Sequence, residues 1–504
     1  MKIYKYIIGA FVACLTFASC DDELDTKNYT DMTSSNFFKS DGDFDAAVTG
    51  LYIPLTTNWG YTDGGTGNWY NSLFNADINS YFAGGMVTTD IMRTYSSNIY
   101  DEFNVGPSSS GAINSTYNMM RFVARATDVI NRISQSSAST EASRNRYIAE
   151  AKTLRAFYMY VLLDFFGPCN VKLDPSTLMS NEIEPRPDNA TYVNYIESDL
   201  NDAIATSSFP DKYNDDPTQW GRMSKAIAYS IKMRLAMHEK QWEEAKEACN
   251  HLMSMGYSLL SNYEDVFKSA VNDEIVWGVP ANTASDNYYV TEVLPGDFKR
   301  GYNCDGRSYI RGTEDSYFGG WQVYCMRWDF YDTFQANDKR KRVILCEYDA
   351  QDGSRKTRET GMAGALPIKF MDTEFANYGT QTAQPIVRYA EVLLSFAEAE
   401  NELNGPTSTA INALKQVTDR AGIEIPASAT QSKDAFRSYL LEERGHELFA
   451  EGVRRQDLIR HGEYIKRAQA RGNNAKDYQV LFPIPQFAIT EAGGILKQND
   501  GYTE

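Results

Sequence analysis

PIVRYAEVLLSFAEAENELNG (385–405), INALKQVTDRAG (411–422) and YLLEERGHELFAEGVRRQDLIRHG (439–462) decide the fold of this chain. Val387, Ala390, Leu394 and Ala397 recur at three- and four-residue spacing, the period of a helix with one apolar stripe. Gly405-Pro406 stops that helix. Ile411, Leu414 and Val417 begin a second before Gly422, and a third starts near Ser432 with Phe436, Leu440 and Leu448 on one face. Small residues along the first helix let its neighbours approach closely. Charge is dense on the third: Glu442, Glu443, Arg444, Glu447, Glu451, Arg454, Arg455, Asp457 and Arg460. At i,i+3 and i,i+4 spacing these read as a structural network locking short helices together, with Glu447, Glu451 and Arg454 as near partners.

The same period runs through much of the chain. Residues 113–133 and 141–166 form a predicted antiparallel helix pair, and Gly167-Pro168 ends the second member. Further helices are expected over 192–204, 224–239 and 242–255; the last two, with a short turn and Trp242-x-x-Ala245, resemble a tetratricopeptide unit. DGDFD (41–45) opens a helix broken by Pro54, its carboxylates suiting the positive end of the helix dipole. EIVWGVP (274–280) is strand-like, and Tyr324 to Phe334 is a short helix. Residues 56–85 read as a long structured loop. The tail after 472 packs back through Leu481, Phe482 and Ile484. The fold class is mostly α: a helix-pair scaffold (about 41–55, 111–262 and 385–472) carrying variable, loop-rich segments with minor β (about 56–110 and 281–379), one domain over 41–504.

Composition narrows the function. The 504 residues carry a formal net charge of −18, which repels phosphate backbones and argues against nucleic-acid binding. A hydrophobic fraction of 42% and an aromatic fraction of 13% supply a core. Mean hydropathy of −0.46 excludes a polytopic helical membrane protein. The start MKIYKYIIGAFVACLTFASC has a basic end, an apolar run from Tyr6 to Phe17, and Ala18-Ser19 before Cys20. We expect 1–19 to be a signal peptide, Cys20 the lipidated residue, and 20–40 a tether that begins with Asp21-Asp22-Glu23. Besides Cys14, five further cysteines (169, 249, 304, 325, 346) form no CxxC pair, so neither a disulfide framework nor a thiolate metal site is expected.

Catalytic motifs fail on inspection. HELFA (446–450) lacks the second histidine of a zinc-protease helix, since Ala450 stands in its place. No GxSxG or Walker sequence occurs, and nothing singles out a carboxylate pair for glycoside hydrolysis. No metal, cofactor or catalytic residue is expected. Lys339-Arg340-Lys341-Arg342 reads as a solvated turn. What remains is aromatic. Trp59, Trp69, Tyr70, Tyr288, Tyr289, Tyr317, Trp321 and Tyr324 lie outside the periodic segments beside Asn, Asp, Gln and Arg. Rings with polar neighbours suit sugars: the CH face of a pyranose stacks on the ring while its hydroxyls bond amides and carboxylates. Trp59, Trp69, Tyr70, Tyr288, Tyr289, Trp321 and Tyr324 are the expected ligand-binding residues, whereas Trp242 and Trp277 read as core.

Several stretches together resemble the SusD/RagB-like outer-membrane lipoproteins of Bacteroidetes nutrient-uptake systems. They are the Cys20 site, RAFYMYVLLDFFGPCNV from Arg155, GRMSKAIAYSIKMRLAMHEKQWEEA from Gly221, the runs from Pro385 and Glu443, and the closing LFPIPQ and LKQNDGY. The resemblance implies a tetratricopeptide-like scaffold and a non-catalytic protein. It further implies an oligosaccharide caught between this chain and a SusC-like TonB-dependent outer-membrane transporter, on the cell exterior. Ligand contacts would fall in regions corresponding to 56–85 and 281–328. The alternatives are a peptide-binding member of the same family, a helical-repeat scaffold for protein partners, and a surface glycosidase.

Overall fold

The computed structural model describes residues 37–62, 67–281, 287–313, 316–317, 319–370, 380 and 382–503. Cys14, Cys20, most of the tether and the side chain of Tyr317 lie outside the described residues. After α1 (Asp41–Thr49) and a hairpin of β1 (Gly60–Thr62) and β2 (Trp69–Asn71), the chain enters its scaffold. The scaffold comprises α2 (Met119–Gln135), α3 (Glu141–Phe166), α4 (Asn189–Ala205), α5 (Lys225–Glu239) and α6 (Trp242–Ser254). β3 (Ile275–Val279) follows, and after a long insertion whose described residues form short strands and helical turns, β4 (Gln384–Arg388) leads into α7 (Tyr389–Asn404), α8 (Ser408–Ala421), α9 (Lys433–Leu448) and α10 (Arg454–Arg460). Each helix from α2 to α6 packs on the next, α6 packs on α7, and α8 and α9 both pack on α7. Helix-pair stacking is therefore continuous in space although the insertion interrupts it in sequence.

Local chemistry sets the boundaries. Thr140, Asp188, Thr407 and Ser432 each cap a helix by accepting a backbone N–H three residues on. Gly422, at φ 76°, ends α8 in the left-handed region. α3 is the centre of the stack. It is buried on all sides from Thr153 to Phe166, so its charged residues need partners: Arg155 binds Asp199 at 2.7 Å and Asp164 binds Arg455 at 2.6 Å. Trp277 meets Phe157 of this helix edge-on at 4.7 Å, in the core as expected, and Trp242 packs half-buried against it.

Three expectations change. The stripe beginning at Val387 is not all helix, because Gln384–Arg388 pairs antiparallel with β3 and the helix starts at Tyr389. Residues 56–85 are not simply loop: they hold the β1–β2 hairpin and a buried helix, Tyr81–Val87, capped by Ser80. Tyr324 to Phe334 is not one helix. Tyr324–Met326 pairs as a strand with Met92–Thr94, and a single turn follows over Trp328–Tyr331.

The dense charges do form a buried lock, with partners drawn from farther away than helical spacing suggested. Arg388 reaches Glu274 at 2.5 Å, Glu447 at 3.0 Å and Glu451 at 2.7 Å, and Arg420 bridges Glu274 and Glu447. Arg340 corrects the reading of 339–342 as a solvated turn. It is fully buried and holds Asp338 and Glu443 at 2.7 Å and Glu447 at 3.3 Å. Arg454 likewise pairs with Asp90 and Glu442 rather than with Glu447 or Glu451, since Ala450 (φ 60°) and Gly452 (φ 78°) turn the chain away after α9. His446 is structural: its ring packs on Phe334 at 4.4 Å and its Nε2 meets Thr333 Oγ1 at 2.7 Å. Among the described residues no cluster of His, Cys, Asp and Glu is arranged to hold a metal ion.

Candidate ligand-binding site

Trp59, Tyr288 and Trp321 come from three separate segments and meet as one ring cluster. Their centroids lie 4.8 Å apart for Trp59–Tyr288, 5.1 Å for Trp59–Trp321 and 5.9 Å for Tyr288–Trp321. Ring planes differ by only 35°, 39° and 19°, so the rings lie over one another in an offset stack rather than edge to face, and the outer side of the stack is an apolar face. Trp321 remains 39% exposed and Trp59 and Tyr288 are half-buried, so the cluster is partly exposed to solvent.

Each ring is aimed by backbone held elsewhere. The buried Asn75 donates from Nδ2 to the carbonyls of Trp59 at 2.6 Å and Asn58 at 3.2 Å, pinning the segment before β1. Asn287 Oδ1 accepts from Tyr289 N at 3.0 Å and so opens the short helix Tyr289–Val293 directly after Tyr288. The Trp321 segment is laid along that helix by bonds from Trp321 N to the Thr291 carbonyl (2.7 Å) and from Val323 N to the Glu292 carbonyl (2.8 Å). Such close approach requires glycine. A Cβ on Gly320 would sit 2.0 Å from the Leu294 oxygen, and one on Gly319 2.1 Å from the Gly296 oxygen. Beside Trp321, Gln322 borders a cleft of about 500 Å³ whose walls include Asp297, Lys356 and Thr360. Those groups are the kind that bond sugar hydroxyls.

The other expected residues separate from the cluster. Trp69 is 60% exposed, and its indole lies over Gly60, the residue after Trp59. Tyr70 stacks on Tyr61 at 6.0 Å and faces a different cleft. Tyr289 and Tyr324 are corrections. Both are fully buried, their rings 6.0 Å apart, with Tyr289 edge-on to Phe370 and the Tyr324 hydroxyl donating to the Ala76 carbonyl. One residue of helical rotation turns Tyr289 into the core while Tyr288 faces out, and strand pairing turns Tyr324 inward. Gln322 was missed. Its signal was the Gly319-Gly320 pair just before it.

Behind the cluster, Glu292 is buried with Oε2 lacking a hydrogen-bond partner among the described residues. Burial, with a smaller push from the Asp77 charge, raises its carboxyl to about 8, so it is neutral at pH 7. The folded protein therefore holds a proton that the unfolded chain loses near 4.5. Stability from this group is full below about 4.5 and is lost as pH rises through 8. We expect Glu292→Gln to flatten the fall in melting temperature between pH 5 and 9. An identical slope in both proteins contradicts this assignment.

Comparison with known proteins agrees with the architecture. Residues 346–502 match the model of the SusD family. The chain is 26% identical to SusD-like protein P25 of Formosa agariphila, over 96% of both proteins. It is 22% identical to the starch-binding protein SusD of Bacteroides thetaiotaomicron, over 73% of this chain and 75% of that one. The fold superposes on surface glycan-binding protein A from Bacteroides thetaiotaomicron, solved with laminarihexaose, with a TM-score of 0.69 and 22% identity over 91% of this chain and 99% of that chain. Over residues 346–502 the chain is similar to the SusD family, and along most of its length it is similar to SusD-like proteins.

Proposed function

We propose that this protein is a cell-surface glycan-binding lipoprotein that captures an oligosaccharide on Trp59, Tyr288 and Trp321 and passes it to a SusC-like TonB-dependent outer-membrane transporter. Proteins of the family are binding proteins, not enzymes, and are outer-membrane-associated lipoproteins. The observation that carries the reading is the convergence of three rings from distant segments into one partly exposed stack. Relatives named for starch binding and solved with laminarihexaose support the ligand class. Two or three stacked rings give modest affinity, and tethering through Cys20 offsets this by concentrating the protein at the membrane beside its transporter.

A calorimetric screen of the protein lacking residues 1–19 against starch, fructan, xylan, laminarin and mucin oligosaccharides tests the ligand class. Saturable heat with at least one glycan, and no new reducing ends after long incubation, is the expected result. Binding of peptides alone would replace this reading with the peptide-binding one. Co-purification with the barrel protein from membranes, lost when Cys20 is replaced by alanine, tests anchor and partner together.

A further inference from the structure

Tyr70 opens onto a cleft that shares no lining residue with the Trp59–Tyr288–Trp321 face. Two lobes, of about 540 and 210 Å³, have Met120, Arg121, Asn170 and Ile183 as common walls and so adjoin as neighbouring parts of one grooved surface. The smaller lobe is floored by Tyr70, stacked on Tyr61, and bordered by Phe487. Phe487 is 48% exposed, yet its ring is held edge-on to Tyr117 at 6.0 Å. A large apolar ring fixed in the open beside a groove is a ready stacking platform.

A second observation points to a hydroxyl-bearing ligand. Asn118 lines the same lobe and is 6% exposed; its Nδ2 donates to Tyr61 Oη at 2.9 Å, and its Oδ1 has no partner among the described residues. Buried amide oxygens are rarely left unpaired. A hydroxyl satisfies this one by donating to it. If the amide is turned end for end, the same hydroxyl accepts from Nδ2 instead, because a hydroxyl serves both roles. The charges along the groove are mixed: Arg121 and Glu491 in the smaller lobe, and Lys172 among Asp174, Glu182 and Glu184 in the larger. No single-sign patch exists to hold a polyanion.

We propose that this groove is a second carbohydrate site, in which Tyr70 and Phe487 stack a neutral glycan and Asn118 bonds one of its hydroxyls. The inference shares its ligand class with the proposed function and rests on it. Two sites on one chain let a long polysaccharide engage both at once, so retention of polymer exceeds what either site gives for a short oligomer.

The test uses the protein lacking residues 1–19 in affinity gels containing starch, laminarin, xylan, fructan or mucin. Tryptophan fluorescence with short oligosaccharides reports the ring cluster separately, since no tryptophan lines the groove. Phe487→Ala is expected to keep wild-type fluorescence titrations but to weaken polymer retention about threefold to tenfold. Tyr70→Ala, checked for an unchanged melting temperature, is expected to do the same. Wild-type retention in both variants, with loss in Trp321→Ala, overturns the second site and leaves the first standing. A wild type retained by none of the polymers overturns the glycan reading and this inference with it.

Discussion

Arg388→Met is expected to destabilise the protein by about 3–5 kcal/mol, the range found when one partner of a buried ion pair is removed. The guanidinium is wholly buried and holds Glu274, Glu447 and Glu451 at 2.5–3.0 Å. Methionine fills a similar volume but leaves three carboxylates facing one another with fewer cations among them. Arg388→Lys should rescue little, because an ammonium cannot fork to several carboxylates as a planar guanidinium does. Urea unfolding monitored by circular dichroism reads the effect as a lower midpoint at similar slope. A midpoint within error of the wild type would show that the buried network contributes nothing at this position.

The same network sets the acid limit. Burial alone would raise the Glu447 carboxyl, but the guanidiniums of Arg420, Arg388 and Arg340 outweigh it and hold it at about 2. Glu451, Glu443 and Glu398 are lowered in the same sense, against burial, by their arginine, lysine and histidine neighbours. These groups have folded values below their unfolded ones. The stability they supply is present above about 4.5 and is lost as pH falls toward 2, with proton uptake on unfolding.

The second large effect is on binding. Replacing Trp59 and Trp321 together by alanine removes two of the three rings and leaves Tyr288 alone. Each stacked ring adds about 0.5–1.5 kcal/mol beyond the area it buries, so affinity should fall about tenfold to a hundredfold. Trp321 is 39% exposed and Trp59 half-buried, and neither belongs to the charge lock, so the melting temperature should change little. A parallel loss of binding and melting temperature would mean that the rings are packing residues of the loops.

Much of the scaffold was legible because its determinants are local. Helical period, Thr140, Asp188 and Ser432 at the caps, and Gly422 at an end all act within a few residues of the structure they set. The ring cluster was legible only as a set of residue types. Tyr288 and Tyr289 are adjacent and chemically alike, and which one faces out depends on Asn287 and on how the Trp321 segment lies against the short helix. Arg340 departs from its expected solvated place for a related reason. A run of four basic residues is usually solvated, but this one is drawn inward by Glu443 and Glu447, about a hundred residues away. Where a long-range partner decides the outcome, spacing along the chain carries no signal of it.

The most direct measurement is a calorimetric titration of the glycan panel into wild-type protein and into the Trp59→Ala/Trp321→Ala variant, with melting temperatures recorded for both. Capture on the ring face predicts saturable binding of at least one oligosaccharide by the wild type, and binding at least tenfold weaker in an equally stable variant. Equal affinities in the two proteins would contradict it.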